Sequence, residues 1–248
     1  MTRLPGTSSR WAAALLAAVS VVTPAQAASV SGPSVFQPSR VTFKAEFRGI
    51  TAGTIAISLL DAGDGKYIYE SRATAGGLAR LIVHHEIREA STFALENNQI
   101  RPLSYVLDDG SADTAKDTRL EFDWKAGVAK GQHEDMPIEL PLRADLQDRM
   151  SVQVWIMQKL AAGEPLGRIE FIDRDEIKDY LYTNEGTATL KTALGDIETV
   201  IYSSTRPNST RVSRFWYAPS LGFLPVRAEQ QRKGKVETVL SVLKVERP

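Results

Sequence analysis

The sequence of 248 residues contains no cysteine. Without a thiol the chain can form no disulfide, no thiolate zinc site and no cysteine nucleophile. Bacterial lipoproteins are acylated on a cysteine that directly follows the signal segment, so this kind of anchor is excluded as well. We therefore predict that the protein is not a lipoprotein and that any contact with a membrane is non-covalent.

Long hydrophobic runs are confined to the first 27 residues. Two arginines precede an apolar stretch, Trp11–Val22, and Ala25–Ala27 supplies a small-residue cleavage site, which is the pattern of a secretory signal. We predict cleavage between Ala27 and Ala28 and export to the periplasm. The alternative is an uncleaved membrane anchor, which is disfavoured because the apolar stretch is too short to cross about 30 Å of hydrocarbon comfortably.

Neither sign of charge dominates the composition. The chain has 30 basic and 30 acidic residues, and removal of the signal with Arg3 and Arg10 leaves 28 basic residues. This balance gives no reason to expect nucleic acid or anionic lipid headgroups as partners. No later segment approaches 18 apolar residues, so we predict no transmembrane segment in the mature chain.

Histidine is scarce, with three residues in the chain. His84 and His85 are adjacent, and adjacent residues of a strand point to opposite faces, so they cannot hold one ion unless a bulge intervenes. His133 lies in a polar stretch that we interpret as a loop. The H-E-x-x-H zinc motif, the G-x-S-x-G elbow and the G-x-x-x-x-G-K-[ST] and G-x-G-x-x-G phosphate loops are absent. We predict no metal site and no cofactor.

The residues after the signal are mostly typical of β-strands. Val41, Phe43, Ala45 and Phe47 alternate with polar residues, as in a strand with one buried face. Turn signals such as Asp61–Gly65 separate this and later strands, which indicates hairpins. We predict ten or more antiparallel strands in a single domain over residues 41–246, after a signal peptide at 1–27 and a loose segment at 28–40.

One helix interrupts the strands, with Asp145 as its predicted N-cap and Gly163 at its end. Its apolar face carries Leu146, Met150, Ile156, Met157 and Leu160. We expect a mostly β fold in which a long antiparallel sheet curls into a barrel-like or spiral β-roll around this helix. The apolar face should then be buried against inward-facing aromatics such as Phe43, Phe122 and Trp216.

Several motifs occur in an order that resembles a known family. They are F-K-A-E-F-R-G-I-T-A-G from Phe43, I-R-P-L-S-Y from Ile100, L-E-F-D-W from Leu120, D-L-Q-D-R-M-S from Asp145 and R-F-W-Y-A-P-S-L-G-F-L-P-V-R-A-E from Arg214. Together they resemble the bacterial domain-of-unknown-function family 3108 over nearly the whole mature chain. The resemblance implies an exported envelope protein with a curled antiparallel sheet, and it implies no catalytic residues.

We expect a non-enzymatic envelope protein that binds an envelope lipid or another apolar or amphipathic ligand, or that binds an envelope protein as a scaffold. Met150, Met157 and Trp216 are the candidate lining of an apolar cavity, and packing in a solid core is the alternative for each of them.

The rival hypothesis is a hydrolase that acts on cell-envelope polymers. It requires a cleft in which His84 or His85 meets an acid such as Glu86 or Asp145, because general acid–base catalysis needs both groups within reach of the substrate.

Overall fold

A computed structural model describes residues 34–77, 85–111 and 113–248. The predicted signal peptide, its cleavage position between Ala27 and Ala28, and His84 lie outside the described residues. Over those same ranges, no helix has both the length and the apolar character that a membrane crossing requires.

The described residues form fifteen strands, one α-helix and two single 3₁₀ turns. The strands are β1 (Ser39–Phe47), β2 (Ile50–Gly63), β3 (Lys66–Ala75), β4 (Ile87–Glu96), β5 (Gln99–Asp108), β6 (Thr118–Asp123), β7 (Val128–His133), β8 (Met136–Pro141), β9 (Gln147–Asp148), β10 (Arg168–Asp173), β11 (Glu176–Thr192), β12 (Gly195–Thr205), β13 (Arg211–Ala218), β14 (Leu224–Arg232) and β15 (Lys235–Glu246). The helix α1 (Ser151–Ala161) lies between β9 and β10, and the 3₁₀ turns are Thr114–Lys116 and Pro219–Leu221.

All fifteen strands belong to one sheet, in the order β8-β7-β6-β5-β4-β3-β2-β1-β15-β14-β13-β12-β11-β10-β9. The first and last strands pair at its centre, where Val41 lies opposite Val245. Every pair is antiparallel except β9 with β10. The prediction of a mostly β, antiparallel fold is confirmed, and the sheet is open, with β8 and β9 as its edges.

The antiparallel order fixes where the connections lie. The turns β1–β2, β10–β11, β12–β13 and β14–β15 all fall at one end of the sheet, which we call the β1–β2 end. The turn of β1–β2 is Arg48–Gly49, and both residues have positive φ, as the tight hairpin turn requires. The first strand begins at Ser39, two residues before the predicted start of the domain at residue 41.

The helix α1 has two buried faces. Met150, just before the helix, and Val154 and Met157 belong to a first hydrophobic cluster, which includes Phe43 and Phe122. Val152, Ile156 and Leu160 belong to a second cluster, formed only with β10 to β13. The predicted apolar residues of the helix are therefore buried, but they divide between two clusters instead of sharing one.

The start of the helix differs from the prediction. The helix begins at Ser151, and Asp148, not Asp145, satisfies its first amides: its Oδ1 accepts from the backbone N–H groups of Met150 (2.8 Å) and Ser151 (2.9 Å). The Ser151 hydroxyl accepts in return from the Asp148 N–H, 3.0 Å away, which is the reciprocal pattern of a capping box. The helix ends as expected, with Gly163 at φ 72°.

Three strands were missed in the sequence, and one of them, β9, lies within the predicted helix. β7 and β8 form a hairpin in the region interpreted as a polar loop around His133. That interpretation is wrong: His133 is the last residue of β7, and its Nδ1 lies 2.7 Å from the Thr118 hydroxyl on β6. Their alternation was concealed because β7 carries Lys, Gly and Gln on faces that remain partly open to water.

A basic cleft beside the start of the helix

A cleft of about 540 Å³ opens at the β1–β2 end of the sheet, beside the start of α1. Its walls come from β4, from the β9–α1 junction and from β10 to β14. Its charged lining residues are Glu89, Arg149, Asp173, Arg174, Lys178, Arg206 and Arg211. Five cations thus face two carboxylates. We refer to this site as the basic cleft.

Arg149 organises the floor of the basic cleft. Its Nε lies 3.0 Å from Oε1 of Glu89, and its NH1 lies 3.4 Å from Oδ1 of Asp173. The other carboxylate oxygen of Asp173 is 3.2 Å from Nζ of Lys178 and accepts at 3.2 Å from the Tyr180 hydroxyl. Both carboxylates of the basic cleft are therefore already paired with cations.

The protonation of this network follows from its geometry. Burial on its own would raise the pKa of the Asp173 carboxyl, but the nearby charges of Arg149 and Lys178 outweigh it and lower the pKa. Burial likewise disfavours the charged guanidinium of Arg149, and the negative partners Glu89 and Asp173 raise its pKa in spite of that. The ionised forms of Asp173 and Arg149 are thus both favoured.

The remaining three cations of the cleft have no such partners. Arg174 occupies the β10–β11 turn, while Arg206 and Arg211 flank the β12–β13 connection. All three are exposed, and the structure records no ion pair for any of them among the residues it describes. Three guanidinium groups at the rim of one cleft create a positive potential that favours an anion.

Apolar and aromatic groups complete the wall between these charges. Phe171 stacks on Tyr180 with ring centroids 4.6 Å apart, and Phe215 and Met150 also face the basic cleft. The lining therefore offers a charged rim with a limited apolar surface beside it.

Asp148 lies beneath this floor and is fully buried. Its Oδ2 accepts a hydrogen bond of 2.6 Å from the Ser91 hydroxyl on β4, in addition to the helix amides. Burial raises the pKa of Asp148 to about 6, although these hydrogen bonds oppose the shift. Ser91 is buried completely as well, so this pair joins the helix to the sheet and is out of reach of a ligand.

The structure separates the three residues proposed to line an apolar cavity. Met150 borders the basic cleft, although only 5% of its surface is exposed. Met157 is buried in the first cluster, and Trp216 is partly buried against it, with the Arg227 guanidinium 5.5 Å from its ring centroid. Neither of these two lines the basic cleft, and the assignment of the three residues to an apolar cavity stays a prediction.

The groups required for the hydrolase hypothesis are not joined in the described residues. His85 is exposed, and no hydrogen bond or ion pair connects it to Glu86 or Asp145. Glu86 instead pairs with Arg72 at 2.8 Å. Asp145 lies at the opposite end of the sheet, in a second cleft of about 430 Å³ that also contains Trp155.

A group of acids lies at the β5–β6 connection. Carboxylate oxygens of Asp108, Asp109 and Asp117 are within 4.8 Å of one another. Hydrogen bonds from the hydroxyl and the backbone N–H of Ser111 lower the pKa of Asp109. Exposed acidic groups are common without an ion, and the absence of a metal site stays a prediction.

The residues of the basic cleft were not identified in the sequence. Glu89, Arg149, Asp173 and Arg206 lie on four separate elements, and no short motif links them. The acids around Asp173 alternate with basic residues in the sequence, a pattern that is equally typical of a solvated turn. The tertiary arrangement, and no local pattern, brings these side chains together.

Comparison with protein families gives a match over most of the chain. The sequence matches the profile of a family described as "Protein of unknown function (DUF3108)" over residues 40–240. No curated protein matches the chain.

Three solved structures are similar to this chain. A β-barrel-like protein of domain of unknown function DUF1849 from Brucella abortus superposes with a TM-score of 0.55 at 8% identity, over 86% of this chain and 98% of that one. The hypothetical lipoprotein YmcC from Escherichia coli gives a TM-score of 0.30 at 11% identity, over 86% and 88% of the two chains. A protein from Bacteroides fragilis named as a putative exported protein with a YmcC-like fold gives a TM-score of 0.38 at 12% identity, over 87% of this chain and 98% of that one. These similarities concern the fold, and the prediction that this chain is not a lipoprotein is untested by them.

Proposed function

The chain belongs to the DUF3108 family, whose function is unknown, and from that premise we propose that it is an exported, non-enzymatic envelope protein that binds an anionic ligand in the basic cleft. Export rests on the signal pattern around Ala27 and Ala28. The binding role rests on the cleft.

The observation that carries the proposal is the positive charge of the basic cleft that its own carboxylates do not neutralise. The carboxylates of Glu89 and Asp173 are held by Arg149 and Lys178, so they do not neutralise the three rim arginines. A guanidinium donates up to five hydrogen bonds in a planar fork that matches carboxylate and phosphate oxygens. Three such groups around one opening are suited to an anion.

The lining also limits the rest of the ligand. Met150, Phe171 and Phe215 provide a small apolar surface next to the charges, whereas most of the wall is polar. An amphipathic or polar ligand with an anionic group fits this surface better than a purely apolar chain. The envelope lipid of our sequence-based hypothesis would thus bind through its headgroup.

We propose further that the sheet curls around α1. Side chains connect strands that are far apart in the sheet order: Nε2 of Gln147 on β9 donates to the carbonyl of Ile100 on β5 at 3.0 Å, and Ser91 on β4 reaches Asp148 on β9. The first cluster contains residues from both halves of the sheet. These contacts support a curled sheet with the helix in its concave side.

The rival hydrolase is not favoured by any group in the basic cleft. A glycosidase needs one carboxyl that is protonated before the reaction and a second that is ionised. The pKa of Asp173 is lowered, which does not suit a general acid, and the Glu89 carboxylate is held in an ion pair by Arg149. The acid with a raised pKa, Asp148, is buried below the cleft.

Calorimetric titration of the mature chain tests the proposal. The probes are a phosphorylated single-chain amphiphile below its micelle concentration and its neutral, dephosphorylated analogue. We expect binding of the phosphorylated probe alone, and about tenfold weaker binding in each of Arg206→Ala and Arg211→Ala, because a hydrogen bond to a charged group contributes about 1.5–3 kcal/mol.

The matched control is Arg40→Ala, which removes an exposed arginine at the opposite end of the sheet and should leave affinity unchanged. Equal affinity for both probes, or equal losses in Arg40→Ala and Arg206→Ala, would contradict an anion site in the cleft.

A further inference from the structure

Three neighbouring hairpins form a continuous surface at the β1–β2 end. They are the turns of β1–β2, β12–β13 and β14–β15, and hydrogen bonds tie them together. The Arg48 N–H donates to the Glu237 carbonyl at 2.7 Å, and the Lys233 N–H donates to the Thr210 carbonyl at 3.0 Å. We call residues 47–50, 206–211 and 232–237 the hairpin-tip surface.

This surface exposes large apolar side chains. Phe47 is 47% exposed, Ile50 is 71% exposed and Val236 is 44% exposed. Phe47 and Ile50 lie directly opposite each other on the two sides of the β1–β2 turn. Exposed apolar groups that cluster at a protruding tip mark an interaction site more often than scattered ones do.

The same surface is strongly basic. Its cations are Arg48, Arg206, Arg211, Arg232, Lys233 and Lys235, and its one acid is Glu237. Glu237 pairs with Arg48 at 2.9 Å, and the hydrogen bond from Arg48 lowers its pKa. For the other five cations the structure records no ion pair with a described residue.

We propose that the hairpin-tip surface docks on a membrane that contains anionic lipids. Basic residues next to a membrane are attracted to its negative surface potential, and apolar side chains between them can enter the headgroup region. A protein partner fits less well, because the core of a protein interface is depleted of charged residues, whereas here three apolar side chains at strand ends lie among six cations. The near-neutral balance of the whole chain does not reveal this local charge.

The docking proposal does not depend on the ligand of the basic cleft. Arg206 and Arg211 belong to both sites, whereas Phe47, Ile50, Lys233 and Lys235 do not line the cleft. Substitutions at these four positions therefore test the surface alone.

Sedimentation of the mature protein with vesicles tests the inference. The probes are vesicles of phosphatidylcholine alone and vesicles of phosphatidylcholine mixed with phosphatidylglycerol. We expect binding to the mixed vesicles only, decreasing with salt. Lys233→Glu combined with Lys235→Glu should abolish it, because removal of even one cation near the surface weakens binding by about fivefold. Ile50→Ser should weaken binding to the mixed vesicles. Binding of this variant should still decrease with salt, because the substitution removes no charge.

The matched control is Lys191→Glu combined with Leu194→Ser, which alters an exposed lysine and an exposed leucine on the β11–β12 hairpin at the opposite end. It should bind as the wild type does, and thermal unfolding should show that all variants are folded. The proposal is overturned if the wild type does not bind anionic vesicles or binds neutral vesicles equally well. It is also overturned if the control loses as much binding as the variants of the hairpin-tip surface. Binding to an acidic peptide with no binding to vesicles would also overturn it, in favour of a protein partner.

Discussion

The two hydrophobic clusters on either side of α1 differ in size and in chemistry. Among the described residues the first buries 21 side chains, two of them tyrosines, and the second buries eight, three of them tyrosines. The basic cleft opens beside the second cluster, where Phe171 and Tyr182 belong to both the cluster and the cleft wall.

This difference shows how one sheet provides both a scaffold and a site. Where strands from both halves meet the helix, apolar side chains fill the space. Where only β10 to β13 meet it, the core is thin, and tyrosine hydroxyls and the network around Arg149 take the place of further apolar layers. A cleft results at the position with the least apolar packing.

The largest effect should come from the two methionines at the helix. Met157 is almost fully buried in the first cluster, so Met157→Ala should lower the free energy of unfolding by about 2–5 kcal/mol through lost contacts and a cavity. Met150 also belongs to this cluster but borders the basic cleft, so Met150→Ala leaves a space that water can enter and should cost less. Chemical denaturation of both variants measures the difference.

If Met150→Ala lowers the free energy of unfolding as much as Met157→Ala does, the cleft does not reduce the cost of a cavity at Met150. The core would then be packed equally densely on both sides of the helix. Uptake of a fluorescent fatty acid by either variant, measured alongside, would favour the apolar cavity of our sequence-based hypothesis.

Part of the fold was accessible from the sequence because its cause is local. The alternation of Val41 and Phe43 with polar neighbours predicts a strand with one buried face, and both residues are buried. Gly163 predicts the end of the helix, because a left-handed residue is needed there. The order of motifs predicts the family. The strand signal and the helix-end signal depend on residues a few positions apart.

The cleft depends on contacts that no local pattern encodes. Arg149 meets Glu89, which is 60 residues away, and its charge alone is equally compatible with a solvated surface. The burial of Asp148 against Ser91 depends on the position of β4. The hairpin-tip surface was missed for a related reason: net charge averages over the chain, and only the sheet order places Arg48 near Lys233.

A pH series on Asp148 sharpens the comparison, because this residue joins the helix to the half of the sheet that holds β4. Its pKa is 3.8 in an unfolded chain and about 6 in the folded one, so the folded state binds its proton more tightly. The contribution of Asp148 to the free energy of unfolding is fully present below about pH 4, decreases as the pH rises to about 6 and is lost above that pH. The contribution amounts to roughly 3 kcal/mol. Asp148→Asn cannot titrate, so its unfolding free energy should lack this fall.

Asp109→Asn is the control for this series. The pKa of Asp109 is lowered by its hydrogen bonds to Ser111, so its contribution has the opposite sign: it is present above the unfolded pKa and is lost as the pH falls. An unchanged slope between about pH 4 and 6 in Asp148→Asn would mean that Asp148 is ionised throughout, with the sheet more open to water at Ser91 than the geometry indicates.

The smallest effect should come from the tyrosines of the second cluster. The Tyr217 hydroxyl is buried and has no hydrogen-bond partner among the described residues, whereas the Tyr182 hydroxyl is hydrogen-bonded to Ser204. An unsatisfied buried hydroxyl destabilises the fold, so Tyr217→Phe should be neutral or raise the free energy of unfolding by about 1 kcal/mol. Tyr182→Phe removes a satisfied hydroxyl and should cost about 1 kcal/mol. If Tyr217→Phe instead costs as much as Tyr182→Phe, its hydroxyl is bound to water within the second cluster, and the basic cleft extends deeper between β12 and β13 than its present walls suggest.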